Sequence, residues 1–192
     1  LLVVGIDGYT DESLKMNYAV GDADATTALF KTRGGSLYEN VNVMALRNDS
    51  ATHQSILHSI RELAAVAKPQ DTVVVFLSGH GAMVDQNFYF LPQDFRRDST
   101  TLEEDIRRFG LATTDVGDLL AQVPALKRMV VFDTGQSGRA LPVLQSTRNP
   151  FAFRGAIERL SRAQGAFTIA SAAVSDEATE VPELGHGVLS YS

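Results

Sequence analysis

Two apolar runs in this chain end in small residues that surround a polar group. The first reads Thr72-Val-Val-Val-Phe-Leu-Ser78-Gly79-His80-Gly81, and the second reads Met129-Val-Val-Phe-Asp133-Thr134-Gly135-Gln136-Ser137-Gly138. His80 has the chemistry of a general base. Ser-Gly before it and Gly after it predict a tight turn that leaves the imidazole exposed. An isolated histidine would more simply cap a strand, but the flanking glycines and the apolar strand before it favour a site. Asp133 ends a run expected to be buried, and a carboxylate there needs a partner or a task. A histidine base calls for a nucleophile on a neighbouring strand end, most naturally a thiol. Position 135 is instead glycine, and the chain has no cysteine. A phosphate-binding loop fits the second turn poorly, because the Walker pattern and its lysine are absent and Asp133 would repel phosphate.

The elements that must hold these residues alternate along the chain. Leu1–Ile6 reads as a buried strand. Asp22 to Phe30 reads as a helix stopped by Gly34-Gly35. Val41–Leu46 reads as a second strand. Thr52–Lys68 is the strongest helix, with Ile56, Ile60, Leu63 and Ala67 at helical spacing and Pro69 closing it. Thr72–Leu77 is continuously apolar, so both its faces should be covered. Phe88–Leu91 reads as a short strand of a surface hairpin. Thr114–Val123 reads as a helix capped by Thr113 or Thr114. Met129–Phe132 is a strand, Ala152–Ala163 a helix and Phe167–Ala170 the last strand. This rhythm predicts an α/β fold, a mostly parallel central sheet with helices on both faces. Ligands and catalytic groups collect at the carboxyl edge of such a sheet, which is where His80 and Gly135 should meet. Asp94–Gly110, with charges of both signs, and Gly138–Pro150 read as irregular.

No repeat or linker divides the 192 residues, so residues 1–192 are expected to form a single domain. The chain opens inside an apolar run and stops at what reads as the start of a helix, so a longer parent protein is expected. The net charge of −6 argues against nucleic acid or an anionic membrane as partner. No apolar run approaches the roughly 20 residues that span a bilayer, and no leader pattern is evident, which gives a cytoplasmic expectation. The missing cysteines exclude disulfides and thiolate metal sites.

Ser78-Gly-His80-Gly together with Asp133-Thr-Gly135-Gln-Ser-Gly138 resembles the caspase-like cysteine peptidases of family C14, above all the metacaspase and bacterial branch. In that family one strand ends in Ser-Gly-His-Gly with the catalytic histidine, and a later one in Asp-x-Cys-x-Ser-Gly with the nucleophile. The separation of the two motifs is similar to the family's. Asn17-Tyr-Ala-Val-Gly-Asp22-Ala23 resembles its early acidic motif, and Gly185-His-Gly-Val188 a stretch after its last catalytic strand. The resemblance implies a three-layer caspase-like α/β/α sandwich and a His/Cys dyad made of His80 and position 135. It implies an oxyanion hole from backbone N–H groups, that of Gly135 with that of Gly79 or His80. It places Asp22 and Asp133 on the floor of the primary specificity pocket, with Ser78 and Ser171 lining it. Two carboxylates there fit arginine or lysine before the scissile bond, whereas a pocket for aspartate would carry arginines. Asp22 has an equally ready reading as a helix N-terminal carboxylate.

Glycine at 135 departs from the pattern where activity depends on it, because no side chain is left to attack a carbonyl. Ser137, two positions on, is not the family's nucleophile. Two origins are open: a cysteine replaced to give an inert form, which the survival of His80, Asp22 and Asp133 favours, or a natural pseudo-peptidase that binds peptides. The expected partner is a peptide or protein with Arg or Lys at the cut site. No cofactor is expected, except that Asp98, Glu103, Glu104 and Asp105 could hold the Ca²⁺ that some metacaspases require. The blander reading is a solvated face neutralised by Arg96, Arg97, Arg107 and Arg108. Arg139 and Arg148 are candidate self-cleavage positions. His53 and His58 read as edge residues of a helix, and His186 is given no role.

Overall fold

The computed structural model describes residues 1–136, 150–164 and 167–171. Among the described residues seven strands and five α-helices follow one another as β1 (Leu2–Gly5), α1 (Ala19–Gly34), β2 (Met44–Arg47), α2 (His53–Val66), β3 (Thr72–Val84), β4 (Asn87–Phe90), α3 (Leu102–Phe109), β5 (Leu111–Ala112), α4 (Thr113–Ala121), β6 (Lys127–Gln136), α5 (Pro150–Gln164) and β7 (Phe167–Ser171). Strands β2, β1, β3, β6 and β7 lie side by side in that order, and every neighbouring pair is parallel. The far half of β3 turns back antiparallel into β4, which pairs antiparallel with β5. The expected α/β sandwich with a mostly parallel sheet is the observed fold.

Side chains alternate across the strands, so each strand contributes to two cores. Val73, Val75 and Leu77 of β3 join Ile56, Ile60 and Leu63 of α2 and Val116 and Leu120 of α4 in the larger one, to which Ala156 and Leu160 of α5 also belong. Val3 and Phe76 pack with Ala23 of α1 on the other face. Gly5 makes the approach of α1 possible, because a Cβ there would lie 2.6 Å from the Ala19 carbonyl oxygen and 2.8 Å from the Ala23 Cβ. The free N–H groups of α1 are met from outside the helix: Ala19 N–H and Val20 N–H donate to the Asp7 carboxylate at 2.8 and 3.3 Å. Asp7 thereby joins the end of β1 to the start of α1.

Five expectations are corrected. The strand carrying His80 does not stop at Leu77 but runs to Val84, because β6 remains in register with it from Thr72↔Lys127 to Gly81↔Gln136 and β4 pairs with it from Gly81↔Phe90 to Val84↔Asn87. His80 and Gly135 therefore sit on strands rather than on turns. The hairpin strand β4 is not superficial, since Phe88 and Phe90 are buried. The stretch Asp94–Gly110 is not wholly irregular. Leu102, Ile106 and Phe109 repeat at helical spacing in α3, and the Thr101 hydroxyl caps it by accepting from Glu104 N–H. Helix α4 starts at Thr113 behind Ala112, with no side-chain cap, because Ala112 is still held in the sheet opposite Tyr89. Strand β2 is confined to the residues that face β1, beginning at Met44 opposite Leu2.

Candidate active site

The residues singled out by chemistry gather at the carboxyl edge of the sheet. In the shared register Gly5 of β1 stands opposite Ser78, Ser78 opposite Asp133, and Asp133 opposite Ser171. Two residues further on, His80 stands opposite Gly135. Directly opposed residues of adjacent strands lie about 5 Å apart, so a side chain at 135 would be within reach of the imidazole. Ser78 and His80 share the strand face of Phe76, the face that α1 covers. Asp133 shares the face of Val131 on β6, in the same α1-facing cluster. Asp22 lies in the first turn of α1, the turn packed over Gly5. Both aspartates are buried, and both are engaged in polar interactions.

His80 is buried at 8% exposure, which corrects the expectation of an exposed imidazole. Its Nε2 lies 2.8 Å from the Leu14 carbonyl oxygen. A carbonyl can only accept, so Nε2 carries the proton and Nδ1 of the neutral ring carries the basic lone pair. The main-chain N–H of His80 donates to the Tyr9 hydroxyl oxygen at 2.8 Å. That N–H is therefore committed to Tyr9. The Tyr9 ring lies against the imidazole with centroids 5.3 Å apart. Burial raises the Tyr9 phenol well above its ordinary range, with the His80 N–H pulling weakly the other way, so it stays protonated.

Tyr9 and the Leu14 carbonyl are the two groups that reading the sequence missed. Tyr9 carried a faint signal: an aromatic after Asp7-Gly8 at the carboxyl end of the first strand. A main-chain carbonyl carries none, because every residue has one. The segment that bears both is pinned at several points. Asp7 N–H and Gly8 N–H donate to the Asn48 side-chain oxygen at 2.9 and 3.0 Å, and Thr10 N–H to the Gln93 carbonyl at 2.9 Å. Arg97 Nε donates to Asp11 at 2.6 Å, and the same guanidinium reaches the Ser13 hydroxyl. The Arg97 guanidinium holds the Asp11 carboxyl below its usual range.

Several acidic side chains near α3 have partners within the chain. Asp105 is buried and accepts from Asp98 N–H and Ser99 N–H. Asp98 pairs with Arg96, and Arg107 with Asp85 and Glu103. Among the described residues no group of three or more acidic or histidine side chains is placed to hold a metal ion. Among the same residues no helix is long and apolar enough to cross a membrane. His58 is exposed beside Glu62, and His53 is half-buried at the start of α2. A cleft of about 230 Å³ lies away from His80, between His53, Asp94, Arg96, Arg108 and Phe109. Ser137, Gly138, Arg139, Arg148, His186 and Gly185-His-Gly-Val188 lie outside the described residues.

The chain is similar to known proteins in sequence and in fold. It is 25% identical over 162 residues to Metacaspase-1 of Meyerozyma guilliermondii, an alignment that takes in 77% of this chain and 37% of that protein. The chain thus spans little more than a third of the relative's length. A solved protein structure from Geobacter sulfurreducens superposes with a TM-score of 0.52 at 16% identity, over 86% of this chain and 62% of the other, a likeness of fold alone. The model of the caspase domain matches residues 1–191. With that match running through both motif-bearing strands and the sheet edge they share, the chain belongs to the caspase-domain family of peptidases.

Proposed function

We propose that this domain derives from a thiol endopeptidase that cleaves after arginine or lysine, and that it is inert in the present sequence because Gly135 stands at the nucleophile position. The observation that carries the reading is the register of His80 with position 135 on adjacent parallel strands, with Nε2 of His80 held by the Leu14 carbonyl. A cysteine at 135 would give its proton to Nδ1 of His80, and its sulfur would attack the scissile carbonyl. The oxygen of the tetrahedral adduct would meet the main-chain N–H groups of Gly135 and Gly79. His80 would then protonate the departing amine, and water would hydrolyse the thioester with the same imidazole as base. Asp22 and Asp133 form the acidic floor on which a guanidinium or ammonium is recognised, with Ser78 and Ser171 beside them. Two carboxylates at one sheet edge can fork onto a guanidinium or meet an ammonium, which supports a basic side chain as ligand.

The glycine itself favours a second reading, a domain that keeps the pocket and binds basic peptides without cutting them. Gly135→Cys separates the two. Fluorogenic peptides ending in Arg or Lys should be cleaved and those ending in Asp should not. Thiol alkylation should stop the reaction, and His80→Ala should lower it by about 10²–10⁴. A folded Gly135→Cys protein that cleaves no basic peptide, with or without Ca²⁺, leaves the binding reading in place.

A further inference from the structure

The His80 main chain stands at a fork in the sheet. On one side β1 ends at Gly5, and the last bond to that side is Ile6 N–H to the Ser78 carbonyl at 3.1 Å. Beyond it β4 takes over, with Leu91 N–H donating to the His80 carbonyl at 2.9 Å. Between these two bonds no strand faces the His80 N–H, and the Tyr9 hydroxyl fills the place at 2.8 Å. Room for the phenol comes from Gly79, where a Cβ would fall 2.7 Å from the Tyr9 oxygen. The same short segment supplies the Leu14 carbonyl to the imidazole. His80 is thus gripped at main chain, ring face and Nε2 by residues 9 to 14, and that segment is tied to the distant 91–98 loop through Asp11 and Arg97.

We propose that Tyr9 is a positioning residue for His80: by completing the sheet at the fork it sets the imidazole against Leu14 in the Nε2–H form, and the Arg97–Asp11 pair holds this strap closed. The inference deepens the proposed peptidase reading and rests on it for its kinetic part alone. Uniform hydrogen-bond satisfaction does not explain the arrangement, since a water could cap one N–H without fixing the ring.

The test has two arms. In the Gly135 protein, ¹⁵N imidazole spectra should give His80 as the Nε2–H tautomer. Tyr9→Phe should turn this into a mixture, while Ile60→Val, a buried change on α2, should leave it alone. In the Gly135→Cys background, Tyr9→Phe should lower kcat at least tenfold with KM within twofold and shift the pH profile. A tautomer unchanged in folded Tyr9→Phe overturns the proposal. If Tyr9→Phe does not fold, Arg97→Ala loosens the strap from the surface, and an unaltered His80 spectrum there overturns it equally. A changed tautomer in a chain whose Gly135→Cys form is inactive upholds the positioning role and removes the peptidase reading, so the two fail separately.

Discussion

The two halves of β3 do different work within one strand. Along Thr72–Leu77 β6 pairs throughout and β1 from Val75 on, both parallel, and Val73, Val75 and Leu77 sink into the core under α2 and α4. Ser78–Val84 keeps β6 on one side as far as Gly81, but on the other it exchanges β1 for the Tyr9 phenol and then for β4. The first half is fixed by burial, which is tolerant of detail. The second is fixed by close approaches at Gly79 and Gly81 and by hydrogen bonds to a single residue each. A site built where strand partners change obtains unusual main-chain geometry, and its stability then depends on a few contacts.

That contrast can be broken from either end. Leu77→Ala should have the largest effect on stability, about 2–5 kcal/mol in urea unfolding, because the side chain is fully buried and a cavity remains. The imidazole tautomer of the protein that stays folded should not change. Gly81→Ala should cost about 1–3 kcal/mol through overpacking, since its Cβ would fall 2.3 Å from the Phe88 ring. Here the His80 spectrum should change with the stability, and an unperturbed spectrum would count against the division between the halves. Arg97→Ala should cost no more than about 1 kcal/mol, as expected of a pair with one largely exposed partner, and yet disturb His80 more than Leu77→Ala does.

The smallest effect is a pH dependence. Arg97 lowers the Asp11 carboxyl below its ordinary 3.8. A group depressed on folding stabilises the fold above its unfolded value and loses that contribution as the pH falls through its folded value. Melting temperatures followed downward from pH 5 should therefore converge for the parent and Arg97→Ala in acid, and differ most near neutrality. Parallel curves would detach the pair from the strap.

The sequence by itself determined the alternation of strands and helices, the family, and the residues with reactive side chains. Apolar runs such as Thr72–Leu77 and the spacing of Ile56, Ile60 and Leu63 declare burial directly, and Ser78-Gly-His80-Gly is legible because a reactive side chain between glycines is rare without cause. Helix α3 was overlooked because its apolar positions are only three among charges. Tertiary structure decided that the strands run on through His80 and Gly135, that the imidazole is buried, and that Tyr9 and the Leu14 carbonyl hold it. These depend on which strand neighbours which and where each one ends, a property of pairing over long sequence separations. A main-chain carbonyl looks the same at every position until the fold brings one of them to a histidine.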